Sequence, residues 1–298
     1  RYFTALHCFT IAPATRDGQA DGAALVADEI EDCLHPEWSA MRFTASGQPP
    51  MAALAGDPLV ECPHFAVSGP TCRSITFRLR ACRIWGLGLS PLGWAVYAAA
   101  PVGTVCDRIL DGARAAAVAP FRPLLGLLRS TRDCDAAAIG VDAFLRALPR
   151  RDVPEGARIA ACQAALRDPA VCDVPGLIAA VGVSRRTLER LCTRHFGSSP
   201  KRLLRRQRFL RSLARYLLAS QNWSTALDEH YFDQAHFLKD FHEFMGMTPT
   251  EYAAMPHPIL DLVKAQYMAE QGAVPLTDMP TILRLRRDAG GPSPARAD

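Results

Sequence analysis

Residues 230 to 252 read HYFDQAHFLKDFHEFMGMTPTEY and bring three histidines, His230, His236 and His242, together with acids. Imidazoles and carboxylates are metal ligands and the usual groups of general acid and base catalysis, so the first question is whether these can converge. On a helix, His236 has carboxylates at i−3 (Asp233) and i+4 (Asp240), a pattern that could grip a divalent cation. Stepping about 100° per residue, however, His242 falls roughly 120° away from His236, so no second imidazole joins the set. No metal is expected here. Asp233 reads as a helix N-cap, and His236 as an exposed polar contact or a structural hydrogen-bonding group.

Other chemistry-bearing residues form no enzyme pattern. The chain has no nucleophile motif, phosphate loop or dinucleotide fingerprint. Its N-terminal half carries His7, His35 and His64 without an H-x-H pair, which argues against a metal-dependent barrel enzyme. Glu29, Glu31, His35, Glu37 and Glu61 could line a ligand pocket, although scattered charges on a barrel are normally solvated. Ten cysteines are spread along the chain with no C-x-x-C pair, and they read as reduced thiols acting as small hydrophobes. The alternative is one reactive sensing thiol, which the sequence does not single out. The expectation is therefore no catalytic residue, no cofactor and no enzyme.

Charge is more informative. The net charge is only +4, yet Arg185, Arg186, Arg190, Arg194, Lys201, Arg202, Arg205, Arg206, Arg208, Arg211 and Arg215 face a single acid, Glu189, in one run. A solvated helix face mixes signs, so a one-sided run points to a polyanion.

The elements that must position these residues follow from texture. At 298 residues the chain is long enough for about two domains, and 49% apolar with 21% charged residues is ordinary globular composition. The longest nearly uncharged stretch, Ile84 to Val105, is interrupted by prolines and glycines, so no membrane span is expected. RYFTALHCFTIAPATRDG lacks the long apolar core of a signal peptide, which predicts a cytoplasmic protein.

Residues 1–115 read as a β-rich effector or dimerisation domain. In SITFRLR, Ile75, Phe77 and Leu79 alternate with Thr76, Arg78 and Arg80, and MRFT (41–44), FAVSG (65–69) and IWGLGL (84–89) are further short strands bounded by turn residues. Helices are predicted for Asp107 to Ala117, Phe121 to Arg129 and Ala136 to Leu148. Residues 116–156 are a helical connector ending in the charged, proline-bearing PRRDVPEG. The fold class is α+β: a small antiparallel barrel or sandwich with helices, then an all-α half.

In that second half, 157–166, 174–181 and 184–196 read as helices. On the third, Leu188, Leu191, Cys192 and His195 share one side, and Arg185, Arg186, Glu189, Arg190, Thr193 and Arg194 share the other. Ser184 is an N-cap after the Gly182-Val183 turn, the pattern of a helix-turn-helix whose second helix enters the major groove. A shift of 49 residues lays Ser184 on Asp233, Leu188 on Phe237, Arg190 on Lys239, Cys192 on Phe241, Gly197 on Gly246, Ser199 on Thr248 and Pro200 on Pro249. The opening stretch is thus a second reading helix, with Phe237, Leu238, Phe241 and Phe244 as its apolar stripe and Asp233, His236, Asp240 and Glu243 opposite. The two units are 174–196 and 223–245. Residues 199–220 form a linker helix of about twenty residues, roughly 30 Å long, near the ~34 Å of one DNA turn. Trp223 is expected in the core.

Residues 157–255 resemble the DNA-binding domain of the AraC/XylS family of bacterial transcription regulators, and YFDQAHFLKDFHEFMGMTPTEY is very similar to that family's C-terminal signature. HPEW (35–38), GPT (69–71) and RIWGLGLSPLGW (83–94) resemble the N-terminal sensor domain of one AraC-like subgroup. The resemblance implies a sequence-specific regulator acting on RNA polymerase at a promoter, with a small-molecule effector or homodimerisation served by the N-terminal half. The alternatives are a thiol- or alkylation-responsive sensor coupled to DNA binding, and a sequence-tolerant DNA-binding protein. Expected DNA contacts are Ser184, Arg185, Arg186, Glu189, Arg190, Thr193, Arg194, Lys201, Arg202, Arg205, Gln234, His236 and Lys239. His230 replaces the family's turn glycine. Between Trp223 and Met245 five acids face Lys239 alone, so the first unit and the linker helix are expected to supply most of the affinity. The tail 256–298 ends in LRLRRDAGGPSPARAD, read as a disordered basic end.

Overall fold

Three layers follow from how the strands alternate. The computed structural model describes residues 2–13, 25–217, 222–263 and 281–282. Its N-terminal half contains β1 (Phe3–Ala12), β2 (Leu25–Val26), β3 (Ile30–Leu34), β4 (Ala40–Gly47), β5 (Met51–Leu54), β6 (Val60–Glu61), β7 (Phe65–Ser68), β8 (Ile75–Leu79), β9 (Cys82–Leu89) and β10 (Ile109–Asp111). A large sheet runs β10-β7-β4-β9-β1, with β2 and the two-residue β11 (Thr281–Ile282) beside β1, and a smaller one runs β3-β8-β5-β6. Strand β8 buries Ile75, Phe77 and Leu79 and leaves Thr76 and Arg78 half-buried, the alternation its sequence predicts.

The large sheet is covered on both faces. From β9, Ile84 joins Ile30, Leu54, Ile75 and Phe77 between the sheets. Trp85, Leu87 and Leu89 point the other way, toward α1 (Pro91–Tyr97), α2 (Pro123–Ser130) and α3 (Cys134–Ala147). Burial on both faces explains why IWGLGL is a continuous apolar run rather than an alternating one. Glycine at 86 is required for close approach, because a Cβ there would lie 2.1 Å from the His7 ring.

The expected helix over Asp107 to Ala117 is a correction. Asp107 has φ 48, outside the right-handed region, and its carboxylate accepts from the Cys72 amide at 2.7 Å. The following residues form β10, paired antiparallel with β7. Pairing with a sheet edge takes Ile109–Asp111, and the chain then turns before a 3-10 helix at Ala116–Phe121, so no helix spans the expected range.

The C-terminal half is helical: α4 (Gly156–Arg167), α5 (Val174–Val181), α6 (Arg185–Phe196), α7 (Pro200–Arg215), α8 (Trp223–Ala226), α9 (Gln234–Met245) and α10 (Pro249–Ala254). It does not stand apart from the sheets. Leu188, Leu191, Cys192 and Phe196 of α6 share one core with the helix-facing side of the large sheet, and the Phe196 ring meets Trp38 edge-on at 5.6 Å. A second core joins Phe209 and Leu213 of α7, Trp223, and Phe237, Phe241 and Phe244 of α9. The β half also reaches this unit: Ser74 donates from its amide to the Phe244 carbonyl (2.7 Å) and from its hydroxyl to the Met245 carbonyl (2.9 Å), satisfying the end of α9. Helix α7 over its sixteen residues spans about 24 Å, and the rest of the expected linker helix, 218–220, lies outside the described residues. The basic tail from Leu283 also lies outside them. Among the described residues no helix is long and apolar enough to cross a membrane.

Candidate nucleic-acid interface

The 49-residue repeat is a repeat of backbone. In the first unit, Asp173 caps α5, Gly182 ends it at φ 69, and the Ser184 hydroxyl accepts from the Thr187 amide to start α6. In the second, the Asp233 carboxylate accepts from the His236 amide at 2.7 Å to start α9. Gly197 and Gly246 end α6 and α9 at φ 77 and 73, left-handed values that glycine adopts without cost. Ser199 and Thr248 then cap the next helices with Pro200 and Pro249 behind them, and Thr248 and Glu251 form a reciprocal capping box.

The two reading helices expose matching positions, except that Glu243, the counterpart of Arg194, is half-buried. On α6 these are Arg185, Arg186, Glu189, Arg190, Thr193 and Arg194. On α9 they are Gln234, Ala235, Leu238, Lys239 and His242, each 49 residues later. Leu238 is therefore not part of the apolar stripe expected for it, since it is 41% exposed. Leu238 and His242 are missing from the contacts expected from sequence. The repeat held the missing signal, because it sets Leu238 on Glu189 and His242 on Thr193.

Of the second unit's five acids, Asp228, Asp240 and Glu243 are paired with arginines, whereas Glu229 and Asp233 are exposed. Asp240 is 0% exposed and accepts from Arg205 Nε (3.1 Å), Arg208 Nη2 (3.1 Å) and the Tyr231 hydroxyl (3.0 Å). Glu243 accepts from Arg205 at 2.7 Å and pairs with Arg202 at 3.5 Å. Asp228, buried, accepts from Arg211 Nε at 2.6 Å; burial would raise its carboxyl, but Arg211 and the bonds from His230 hold it below the usual range. Within α9 itself no carboxylate is fully exposed, so this surface is less acidic than the composition suggests, although Asp233 at its N-cap and Glu229 before it remain exposed. Its one exposed charge is Lys239.

The same pairs absorb much of the basic run. Arg205, Arg208 and Arg211 are tied to these carboxylates, and Arg206 is buried with its guanidinium 4.2 Å above the Trp38 ring. Removing one member of a buried pair costs about 3–5 kcal/mol, so these bases do not swing out to phosphates. Arg205 sits with its acids rather than at the surface, and His236 is half-buried, accepting from Arg208 at 3.0 Å. Lys201 is exposed and Arg202 half-buried, while Ser184 and Gln234 lie exposed at the starts of their helices.

On α6 the competition is weak. Glu155, in the turn before α4, accepts from His195 at 3.1 Å and lies 3.7 and 3.9 Å from the Arg190 and Arg194 guanidinium groups. The His195 bond leads the effects that hold its carboxyl below its ordinary range. Arg190 and Arg194 are 67% and 60% exposed, and such pairs contribute only about 0–1 kcal/mol, so both remain available to an anion.

The turn that lacks glycine has another solution. His230 is not in the left-handed region. Its amide (3.1 Å) and Nδ1 (3.0 Å) both reach Asp228 Oδ1, while the Asp228 amide donates to Ser212 Oγ at 2.8 Å. A buried carboxylate closes the turn where a glycine would otherwise relax it.

Between the sheets lies a cavity of about 740 Å³ including its mouth, lined by His7, Phe9, Arg42, Ile75, Phe77 and Ile84 among others. A neighbouring space shares His7, Phe9, Arg42 and Phe77 and continues past His35 and Glu37 to Leu210, Leu213 and Ala214 of α7. Arg42 donates to Glu37 Oε1 (2.7 Å) and Ser68 Oγ (3.0 Å). Burial pushes His7 down to about 4, with Arg42 adding to the effect, so its ring is neutral near pH 7. Of the acids considered for a pocket, Glu37 lines this space, whereas Glu29 and Glu31 pair with Arg78 at the surface and Glu61 is exposed. Asp32, Cys33 and His257 bring three possible metal-ligand atoms within 4.8 Å of one another. Asp32 is already used: it accepts from the Cys33, Ile259 and Leu260 amides and pairs with His257, so it caps the segment after α10.

Residues 177–255 match a family model described as Helix-turn-helix domain. No curated protein matches the chain. Among solved structures, ToxT from Vibrio cholerae at 1.65 Å resolution is similar at 8% identity and a TM-score of 0.44, over 85% of this chain and 98% of that one. ToxT of the same organism with unsaturated fatty acid bound is similar at 10% identity and a TM-score of 0.41, over 87% and 97%.

Proposed function

We propose, from the premise that residues 177–255 match a helix-turn-helix domain and that their signature resembles the AraC type, that the chain is a sequence-specific, effector-responsive transcription regulator of the cytoplasm. One observation carries this reading: α6 and α9 present the same face at a 49-residue spacing, each between an N-cap and a left-handed glycine. In this reading each face enters a major groove. Arg185, Arg186 and Arg190 reach guanine edges or phosphates, and Glu189 reaches cytosine N4. The second helix contributes Gln234, Leu238, Lys239 and His242, a mixed face suited to an adenine edge, a thymine methyl and one phosphate. Lys201 and Arg202 hold the backbone between the units.

The β half supplies the signal. A small molecule in the inter-sheet cavity would meet an apolar wall and the polar side chains of His7, Arg42 and Thr44. The neighbouring space reaches α7, so occupancy could bias how the α7 unit sits against the sheets, and by that route contact with RNA polymerase or a second copy of the chain.

The test is selection of duplexes from a random pool by the full chain, followed by comparison of selected and random DNA at one salt concentration. Arg185→Ala with Arg190→Ala should weaken binding to selected DNA by more than about 1 kcal/mol. Equal affinity for selected and random duplexes would instead favour sequence-tolerant binding, and unchanged affinity in the double variant would sink the assignment.

A further inference from the structure

Cys8, midway along β1, and Cys134, the first residue of α3, bring their sulfurs within 3.5 Å of each other although 126 residues separate them. The pair is held from both sides. Arg83 of the neighbouring strand donates to the carbonyls of Leu128 (2.9 Å) and Arg132 (2.7 Å), fixing the turn between α2 and α3 against the sheet. Cys8 is buried, whereas Cys134 is half-exposed, so a solvent-borne reagent reaches one sulfur of the pair.

We propose that Cys134 and Cys8 are an oxidisable thiol pair, in which a hydroperoxide oxidises Cys134 and Cys8 resolves it to a disulfide. In the first step the Cys134 thiolate attacks the peroxide oxygen; an S–O bond forms, the O–O bond breaks, and the departing alkoxide or hydroxide takes up a proton. The peroxide is reduced by two electrons and Cys134 becomes a sulfenic acid. In the second, the Cys8 sulfur attacks that sulfur; the S–S bond forms, the S–O bond breaks, and hydroxide leaves with the Cys8 proton as water. Reaching a bond of about 2.05 Å from 3.5 Å requires only a small approach of the two sulfurs.

The site assigns the two roles. The hydrogen bond with Cys8 and the Arg83 charge lower Cys134 to about 7, outweighing burial and the nearby Asp133 and Asp135 carboxylates. The first amides of α3 also favour a thiolate at that position. Cys8 is raised by the same hydrogen bond and by burial, so it waits as a thiol.

The chain carries its own control. Cys162 and Cys192 stand 3.9 Å apart, and both are fully buried. The hydrogen bond with Cys162 and burial raise Cys192, and neither sulfur is open to solvent, so proximity without access predicts no oxidation there.

The experiment uses the reduced full chain, treated with a few equivalents of hydrogen peroxide, quenched with an alkylating agent and mapped by mass spectrometry. The expected first product is a peptide linking Cys8 to Cys134, reversed by dithiothreitol. Its initial rate should fall about tenfold per pH unit below about 7 and level off above it. Cys8→Ser should leave a sulfenic acid at Cys134 that a 1,3-dione traps, and Cys134→Ser should abolish oxidation of Cys8. The proposal is overturned if no such link forms in the unmodified chain, if the Cys162–Cys192 link forms as fast, or if Cys8 is oxidised as fast in Cys134→Ser.

Discussion

Replacing Asp240 with alanine separates two accounts of the second reading helix. If its carboxylate faced DNA, removing it would strengthen binding by relieving repulsion of phosphates. In the structure it is wholly buried and accepts from Arg205, Arg208 and Tyr231. Asp240→Ala leaves two guanidinium groups and a hydroxyl without that acceptor, and breaking a buried pair costs about 3–5 kcal/mol. Arg205 is 26% exposed and keeps Glu243, and Arg208 keeps the His230 carbonyl, which places the loss near the lower bound. A cost of about 3 kcal/mol corresponds to a fall in Tm of roughly 6–12 °C at the 2–4 °C per kcal/mol typical of proteins of about 150–250 residues. Asp240→Asn, which keeps an acceptor and the volume, should lose less. The assay is thermal unfolding of the full chain together with duplex binding at fixed salt. A Tm within about 1 °C of the unmodified chain, or DNA binding strengthened several-fold, would refute the inward placement of this acid.

Three further outcomes follow from the same geometry. Lys239→Ala should reduce the salt dependence of DNA binding by about one unit of slope, whereas Leu238→Ala should change the selected bases and leave the slope intact; titrations at several salt concentrations distinguish them. Stability should fall as pH drops from about 6.5 toward about 4, because burial holds His7 and His35 at about 4, so the unfolded chain binds protons in that window and the native one does not. His257 is raised, its bonds to Asp32 and the Tyr252 carbonyl outweighing burial, so its contribution is fully present below about 6.5 and is lost only as pH rises above that, outside this window; His7→Gln should flatten the acid limb of a urea-midpoint profile. Finally, Gly246→Ala should destabilise, since φ is 73 there and a Cβ would lie 2.6 Å from that of Ala55; unfolding with and without the change checks it.

Much of the fold was legible because its signals are local. Alternation in SITFRLR marked β8, Ser184 and Asp233 marked helix starts, and Gly197 and Gly246 marked helix ends, each through its own backbone chemistry. The strand at Ile109–Asp111 was not legible, since it is only three residues long and its pairing partner β7 lies some forty residues away. The contacts within the cavity and between Cys8 and Cys134 were hidden for the same reason.

By itself, then, the sequence determined two capped reading helices 49 residues apart and the basic face of the first. Only the tertiary structure decided which charges remain at the surface. A carboxylate at position 240 looks the same in sequence whether it meets water or arginine, but packing α9 against α7 places it out of water, where an unpaired charge is too costly to keep. That burial draws Arg205 and Arg208 away from the interface, and leaves the second face to Gln234, Leu238, Lys239 and His242.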